Sequence, residues 1–297
     1  MTVLNEKKLS YSVLVLPALL IYMGVITFPT IFSVLLSLTN YNGGKVFGNP
    51  NLKFVGLTSY KWMFTEPTGN FYISLKNNML IVAISVFGQI PLGFVLAYIL
   101  SRKLVKGTDF FQTMIYLPNV ITPILIGILF KSFYYNNNSV LMEIIHVFRP
   151  ESMFSMERPM IPVLMVILWM YTGFYMIVFM ANLQRIDTHI IEAARIDGAR
   201  EGQILARIIL PALSGVIVTC AILAISGSLR SFDIIYTMTG GGPAGRTRVL
   251  SLFMYQSAFQ GSPNYPLANA ISTIMVLISF ILIIVTRYVE KIFGGKE

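Results

Sequence analysis

The densest run of charged and small side chains is Glu192-Ala193-Ala194-Arg195-Ile196-Asp197-Gly198-Ala199-Arg200-Glu201-Gly202-Gln203, followed by Ile208-Ile209-Leu210-Pro211. Its residue types suit docking. Ala193, Ala194 and Ala199 leave a low surface for close packing, and the charges at Glu192, Arg195, Asp197, Arg200 and Glu201 could set register with a partner. Gly198 permits the positive φ of a sharp bend between two short helices. Charge alone favours a different reading, a solvated connecting loop. A second candidate, Gly240 to Thr247 (GGGPAGRT), nearly matches the phosphate-binding pattern GxxxxGK[ST], with Arg246 at the lysine position. A phosphate loop needs a strand before it, a helix after it and a cytoplasmic location. This one contains a proline and falls in a predicted external loop, so ATP is not expected to bind there. His146 and His189 are far apart and read as loop residues, with no metal site expected. The single Cys220 lies in an apolar run and offers no disulfide framework.

The elements that carry these residues follow from where charge is missing. Only 12% of the 297 residues are charged and 55% are hydrophobic, against roughly 25% charged in soluble domains. No Lys, Arg, Asp or Glu occurs between Lys8 and Lys45, Lys76 and Arg102, Asp109 and Lys131, Arg158 and Arg185, Arg207 and Arg230, or Arg248 and Arg287. About 20 apolar residues cross a ~30 Å hydrocarbon layer, so each gap is long enough for one span. The expectation is an all-α, polytopic membrane protein with six transmembrane helices at about 12–38, 73–100, 111–132, 160–183, 206–229 and 266–287. They form one transmembrane domain over 1–297, with the charged run in a loop at about 184–207. The first apolar run is too long for a signal peptide and reads as a retained span.

Twelve of the 22 Lys and Arg fall within the 56 residues of segments 1–11, 101–110, 184–207 and 287–297. That density places both termini and the charged run in the cytoplasm. The net charge of +9 follows from this topology, and no nucleic-acid partner is called for. Pro17, Pro29, Pro91, Pro118, Pro123, Pro162 and Pro211 stand within or beside the spans. Such breaks are tolerated where neighbouring helices or a water-lined cavity satisfy the freed carbonyls. The middles of the spans hold no Asp, Glu or His, which disfavours an ion-coupled carrier and an intramembrane enzyme. Uphill transport would then take its energy from another subunit.

With its E-A-A, D-G-A and I-x-L-P elements in register, the charged run resembles the EAA loop of binding-protein-dependent ABC importer permeases. The resemblance implies a type I importer permease fold and assigns Glu192, Ala193, Ala194, Asp197, Gly198 and Ala199 to a coupling helix that docks on a cytoplasmic ATPase. In that family the glutamate pairs with a basic residue of the ATPase and the glycine makes the bend. Gly215 stands where members often carry a further proline. Ser231-Phe232-Asp233-Ile234-Ile235-Tyr236-Thr237-Met238-Thr239-Gly240-Gly241-Gly242-Pro243, with Thr247 and Tyr255 to Phe259, is similar to the segment before the last span in the carbohydrate-uptake subfamily. Leu117-Pro118 in span three and Trp169, ahead of a bend in span four, fit the same subfamily.

The resemblance further implies solute-facing positions at Asn119, Tyr171, Phe174, Ser228 and Ser231, with Ala224 and Gly227 shaping the space. Hydroxyl, amide and aromatic groups suit a sugar, although small and hydroxyl side chains are also the usual glue between membrane helices. The expected assembly is a second homologous permease subunit, two cytoplasmic ATPase subunits that bind ATP and Mg, and an extracytoplasmic solute-binding protein. This chain itself would hold no cofactor and no catalytic site. It would lie among the lipid of a bacterial or archaeal cell (inner) membrane. A non-sugar ABC importer and a stand-alone channel or carrier are the rival readings.

Overall fold

The computed structural model describes residues 15–46, 48–102, 105–135 and 159–293, with side chains at 133–135 and 292–293 excepted. His146 and the charges of both termini lie outside them. The chain forms two compact units, Met1–Pro67 with Met254–Ile274, and Thr68–Phe253 with Met275–Glu297.

In the first unit, α1 (Val15–Ser37) is a helix with no buried residue in its apolar window until Ser37, as expected of a lipid-facing span. Ser37 Oγ lies 2.7 Å from the hydroxyl of Tyr60 in the short helix α2 (Thr58–Thr65). Ser33 Oγ donates to Asn269 Oδ1 at 2.6 Å. An interhelical hydrogen bond of this kind is worth roughly 0.6 kcal/mol in a membrane.

The second unit holds α3 (Asn70–Ser101), α6 (Met160–Leu183) and two bent pairs. α4 (Thr108–Val120) meets α5 (Pro123–Tyr135) at 91°, and α8 (Glu201–Ala212) meets α9 (Ser214–Leu229) at 65°. Among the described residues of the whole chain, four helices are long and apolar enough to cross a membrane, and up to six spans result when each bent pair counts as one. The short helices α7 (Thr188–Ile196), α10 (Asp233–Met238) and α11 (Leu250–Phe259) lie in the connections. α12 (Tyr265–Phe293) is the last span.

The expectation of one unbroken span at 111–132 thus gives way to a right-angled pair. The cause is local. Pro123 pushes the preceding Thr122 out of the α region, and Ile121 is already extended at φ −76°, ψ 138°. Span four corrects in the other direction: it was expected to bend after Trp169, yet α6 runs unbroken. No proline follows Pro162 in it, and Gly173 lets the backbone of Ile115 pack against it instead.

Proline also explains three π turns. Met23–Thr27, Ser85–Gln89 and Leu205–Ile209 each end two residues before Pro29, Pro91 and Pro211. A proline supplies no N–H to the carbonyl four residues back, and the ladder shifts to i→i+5 at that point. Phe28, Ile90 and Leu210 accordingly donate to the carbonyls of Met23, Ser85 and Leu205. Below its π turn, α3 packs closely on α6 at Gly93, where a Cβ would stand 2.7 Å from that of Tyr175. The core here gathers Ala97, Leu100, Met176, Phe179, Ile204, Ile209, Leu213 and Cys220.

Candidate functional site

A cavity of about 420 Å³ opens between α3, the α4–α5 bend, α6 and the α9–α10 junction. The five residues assigned to the solute path from sequence all line it. Asn119 comes from the bend, Tyr171 and Phe174 from α6, Ser228 from the last turn of α9, and Ser231 from the junction. Ala224 and Gly227 line it too, leaving room that larger side chains would fill. Ser85, Gln89, Tyr175, Arg230 and Asp233 complete the polar and aromatic wall and were not assigned from sequence. For Gln89 a signal was available: an amide in a charge-free span two residues before a proline, where the helix must rearrange.

The wall is fixed by buried hydrogen bonds. Gln89 Nε2 donates to the Ile167 carbonyl at 2.8 Å, joining the π turn of α3 to α6. The C-terminal carbonyls of α9 have no intrahelical partner, and side chains supply donors: Asn78 Nδ2 reaches Ser228 O at 3.0 Å and Ser231 Oγ reaches it at 2.7 Å. Ser228 Oγ donates to Ser85 Oγ at 3.1 Å. The other end of Asn78 accepts from the Leu250 N–H at 2.8 Å, and Asn77 Nδ2 donates to the carbonyls of Arg246 and Arg248, both at 2.8 Å. What results is a chamber lined by aromatic, amide and hydroxyl groups, with charge confined to Arg230 and Asp233. Such a lining suits a hydroxylated solute.

The charged run folds as its sequence suggests. Asp187 caps α7 (Thr188–Ile196), its carboxylate accepting from His189 N–H at 2.9 Å. At the other end Gly198 takes φ +81°. Gly198 N–H donates to Arg195 O at 3.0 Å and Ala199 N–H to Ala194 O at 2.9 Å, the paired bonds that close a helix through a left-handed glycine. Arg200 N–H then donates to Gln203 Oε1 at 2.8 Å and starts α8. Two faces separate. Ala194 and Ala199 pack against the core of the unit. Glu192, Ala193, Asp197 and Gly198 are exposed, beside Ile190 and Ile196, the latter 87% exposed. Glu192 lies 3.9 Å from the imidazole of His189.

Glu201 holds this loop to the helices behind it. Its Oε1 accepts from Arg195 Nε at 2.8 Å, and its Oε2 lies 3.3 Å from Arg102 Nη2 at the end of α3, an ion pair outside hydrogen-bond geometry. The hydrogen bond from Arg195 keeps the Glu201 carboxyl below its ordinary range, with the Arg102 charge adding to the effect, and it raises Arg195 in turn. A second cavity of about 370 Å³ lies beside the loop, lined in part by Tyr98, Arg102, Glu192 and Arg195.

The phosphate-loop look-alike has another use. A helix, α10, precedes it, and Thr247 is buried with its hydroxyl donating to Gly242 O at 2.8 Å and lying 2.7 Å from that of Thr239. The segment is a closed knot of internal bonds.

A family model described as "Binding-protein-dependent transport system inner membrane component" matches residues 89–294. The chain is 32% identical to the multiple sugar-binding transport system permease protein MsmF of Streptococcus mutans, over 98% of each chain. It is 31% identical to the lactose transport system permease protein LacF of Rhizobium radiobacter, over 93% of this chain and 92% of that one. Among solved structures, a bacterial alginate ABC transporter in complex with alginate pentasaccharide-bound periplasmic protein superposes with a TM-score of 0.81 at 20% identity, covering 99% of this chain and 98% of that chain. At that identity the likeness concerns the fold.

Proposed function

The chain belongs to the family of binding-protein-dependent transport system inner membrane components, and from this premise we propose that it forms part of the pathway for a sugar or oligosaccharide in an ATP-driven importer. The convergence of Asn119, Tyr171, Phe174, Ser228 and Ser231 on one cavity carries this reading. Aromatic faces receive the C–H faces of a sugar ring, while amide and hydroxyl groups exchange hydrogen bonds with its hydroxyls. The names of the MsmF and LacF relatives support the same substrate class.

In this reading a second, homologous permease completes the pathway. Two ATPase subunits hold ATP and Mg on the cytoplasmic side, where both termini also lie, and a solute-binding protein delivers the sugar from outside. Catalysis of ATP hydrolysis belongs to the ATPases. The exposed face of Glu192, Ala193, Ile196 and Asp197 receives their movement, and the helices around the cavity answer by opening to one side or the other.

Uptake of radiolabelled oligosaccharides by the whole complex in ATP-loaded proteoliposomes tests this. Tyr171→Ala or Phe174→Ala raises the half-saturating sugar concentration about tenfold, as expected for losing one apolar contact worth about 1.4 kcal/mol. Glu192→Lys abolishes uptake while the binding protein keeps its affinity. Uptake by this chain without any ATPase would instead identify a self-sufficient carrier and overturn the proposal.

A further inference from the structure

We infer that Glu201 is a positioning residue that ties the exposed docking helix to both helices framing the cavity, so that movement of the loop reaches the solute chamber as a unit. This rests on the importer reading above, and it assigns a role to a carboxylate outside the docking face and outside the cavity.

Three elements meet at this one side chain. Arg195 belongs to α7, Arg102 ends α3, and Glu201 itself begins α8. Each of the two longer elements leads to the chamber. α3 carries Ser85 and Gln89 into its wall, and α8 continues through the bend at Leu213 into α9 with Ala224, Gly227 and Ser228. Without the carboxylate, α7 would remain attached through the packing of Ile191, Ala194 and Ala199 and through the Gly198 turn, apolar contacts that carry no fixed direction. Glu201 converts them to a fixed joint, because its two oxygens engage two guanidinium groups from different helices. Arg102 is itself held in place, with its guanidinium 5.1 Å above the ring of Tyr98 and its side chain only 22% exposed. An exposed ion pair adds little to stability. The geometry therefore serves position: it fixes the angle between the element that is pushed and the elements that must move.

The test uses the assembled complex in lipid nanodiscs and needs no knowledge of the sugar. A Gly227→Cys reporter in a Cys220→Ala background places a thiol on the cavity wall, where an added Cβ meets no neighbour within 4 Å. Its maleimide labelling rate is measured with and without ATP plus vanadate. In the parent complex, trapping changes the rate. Glu201→Ala shrinks that change by about fivefold or more, the range of an energetic coupling between sites. The ATPases still copurify, and basal ATP hydrolysis stays within about twofold. Arg102→Gln and Arg195→Gln reproduce the effect, and combining either with Glu201→Ala adds little, as members of one joint require. A full ATP-dependent change in Glu201→Ala overturns the inference, as does loss of the ATPases from that complex, which would make Glu201 a docking or folding residue. Absence of any change in the parent complex overturns the importer reading itself.

Discussion

Asn78 and Asn77 are adjacent on α3, carry the same side chain and both hold backbone groups of the segment before α11, yet their loss should cost different amounts. Asn78 is fully buried. Replacing it by leucine, close in volume, removes a donor from Ser228 O and the acceptor from the Leu250 N–H. Ser228 O keeps the Ser231 hydroxyl, but the N–H of Leu250 loses the acceptor it uses. Stranding a buried donor costs about 1–3 kcal/mol, and the largest interhelical hydrogen-bond energies measured in membranes are about 1.7 kcal/mol. The two ranges overlap near 1.5 kcal/mol, the value expected for Asn78→Leu. Asn77→Leu strands no N–H, because its amide only donates to the carbonyls of Arg246 and Arg248. An under-satisfied carbonyl is tolerated better than an orphaned N–H, so roughly 0.6 kcal/mol is expected there. Thermal unfolding of the purified complex, followed by intrinsic fluorescence, should rank Asn78→Leu below Asn77→Leu by about 2–4 °C. Equal midpoints, or the opposite order, would show that the buried donor at Leu250 does not set the energy.

At the docking loop, Gly198→Val forces a β-branched residue to φ +81° with no neighbour to blame for a clash. It should cost about 1–2 kcal/mol of local structure and lower uptake, whereas Gly198→Asn, which tolerates the left-handed region, should be milder; uptake by the reconstituted complexes orders the two. For Glu201 the sign of the shift fixes a pH window. Its carboxyl is lowered from 4.5 by the Arg195 hydrogen bond first and by Arg102 second. The pairing is therefore present above pH 4.5 and lost as pH falls through the depressed value. The charged groups that face it are Arg195 on α7 and Arg102 at the end of α3. Between about pH 5.5 and 8 the profiles of wild type and Glu201→Gln should run parallel, at different heights, and a step confined to the wild type would refute the assignment of charge.

The spans were legible because their signal is the absence of a residue class over 20 positions, which no local detail can hide. The backbone of the charged loop was legible because its rules act at short range, above all a glycine where φ must be positive. The 91° turn at Ile121 and the unbroken α6 were not. Proline marks where a helix is weakened, as at Pro29, Pro91, Pro118, Pro123 and Pro211, but whether it kinks, widens to a π turn or turns a corner depends on what packs beside it. Pro91 sits over the close approach of Gly93 to Tyr175 and yields a π turn; Thr122-Pro123 has an extended Ile121 before it and yields a corner. Gln89 and Asn78 were missed for the same reason, since their partners at Ile167, Ser228 and Leu250 are 78, 150 and 172 residues away in sequence.

Those irregularities also decide where a chamber can exist. A regular membrane helix hides every carbonyl within its own ladder and offers a solute only side chains. Here every wall but α6 is irregular where it meets the cavity. Ser85 and Gln89 bound the π turn of α3, Asn119 and Pro123 flank the corner between α4 and α5, and Ser228 to Asp233 span the end of α9 and the start of α10. Polar groups can then face the space without lipid contact, while the two charges of the wall, Arg230 and Asp233, stand past the last residue of α9, at its junction with α10. In the importer proposed above the energy enters mechanically, through the charged loop that Glu201 fixes to the helices carrying this irregular wall.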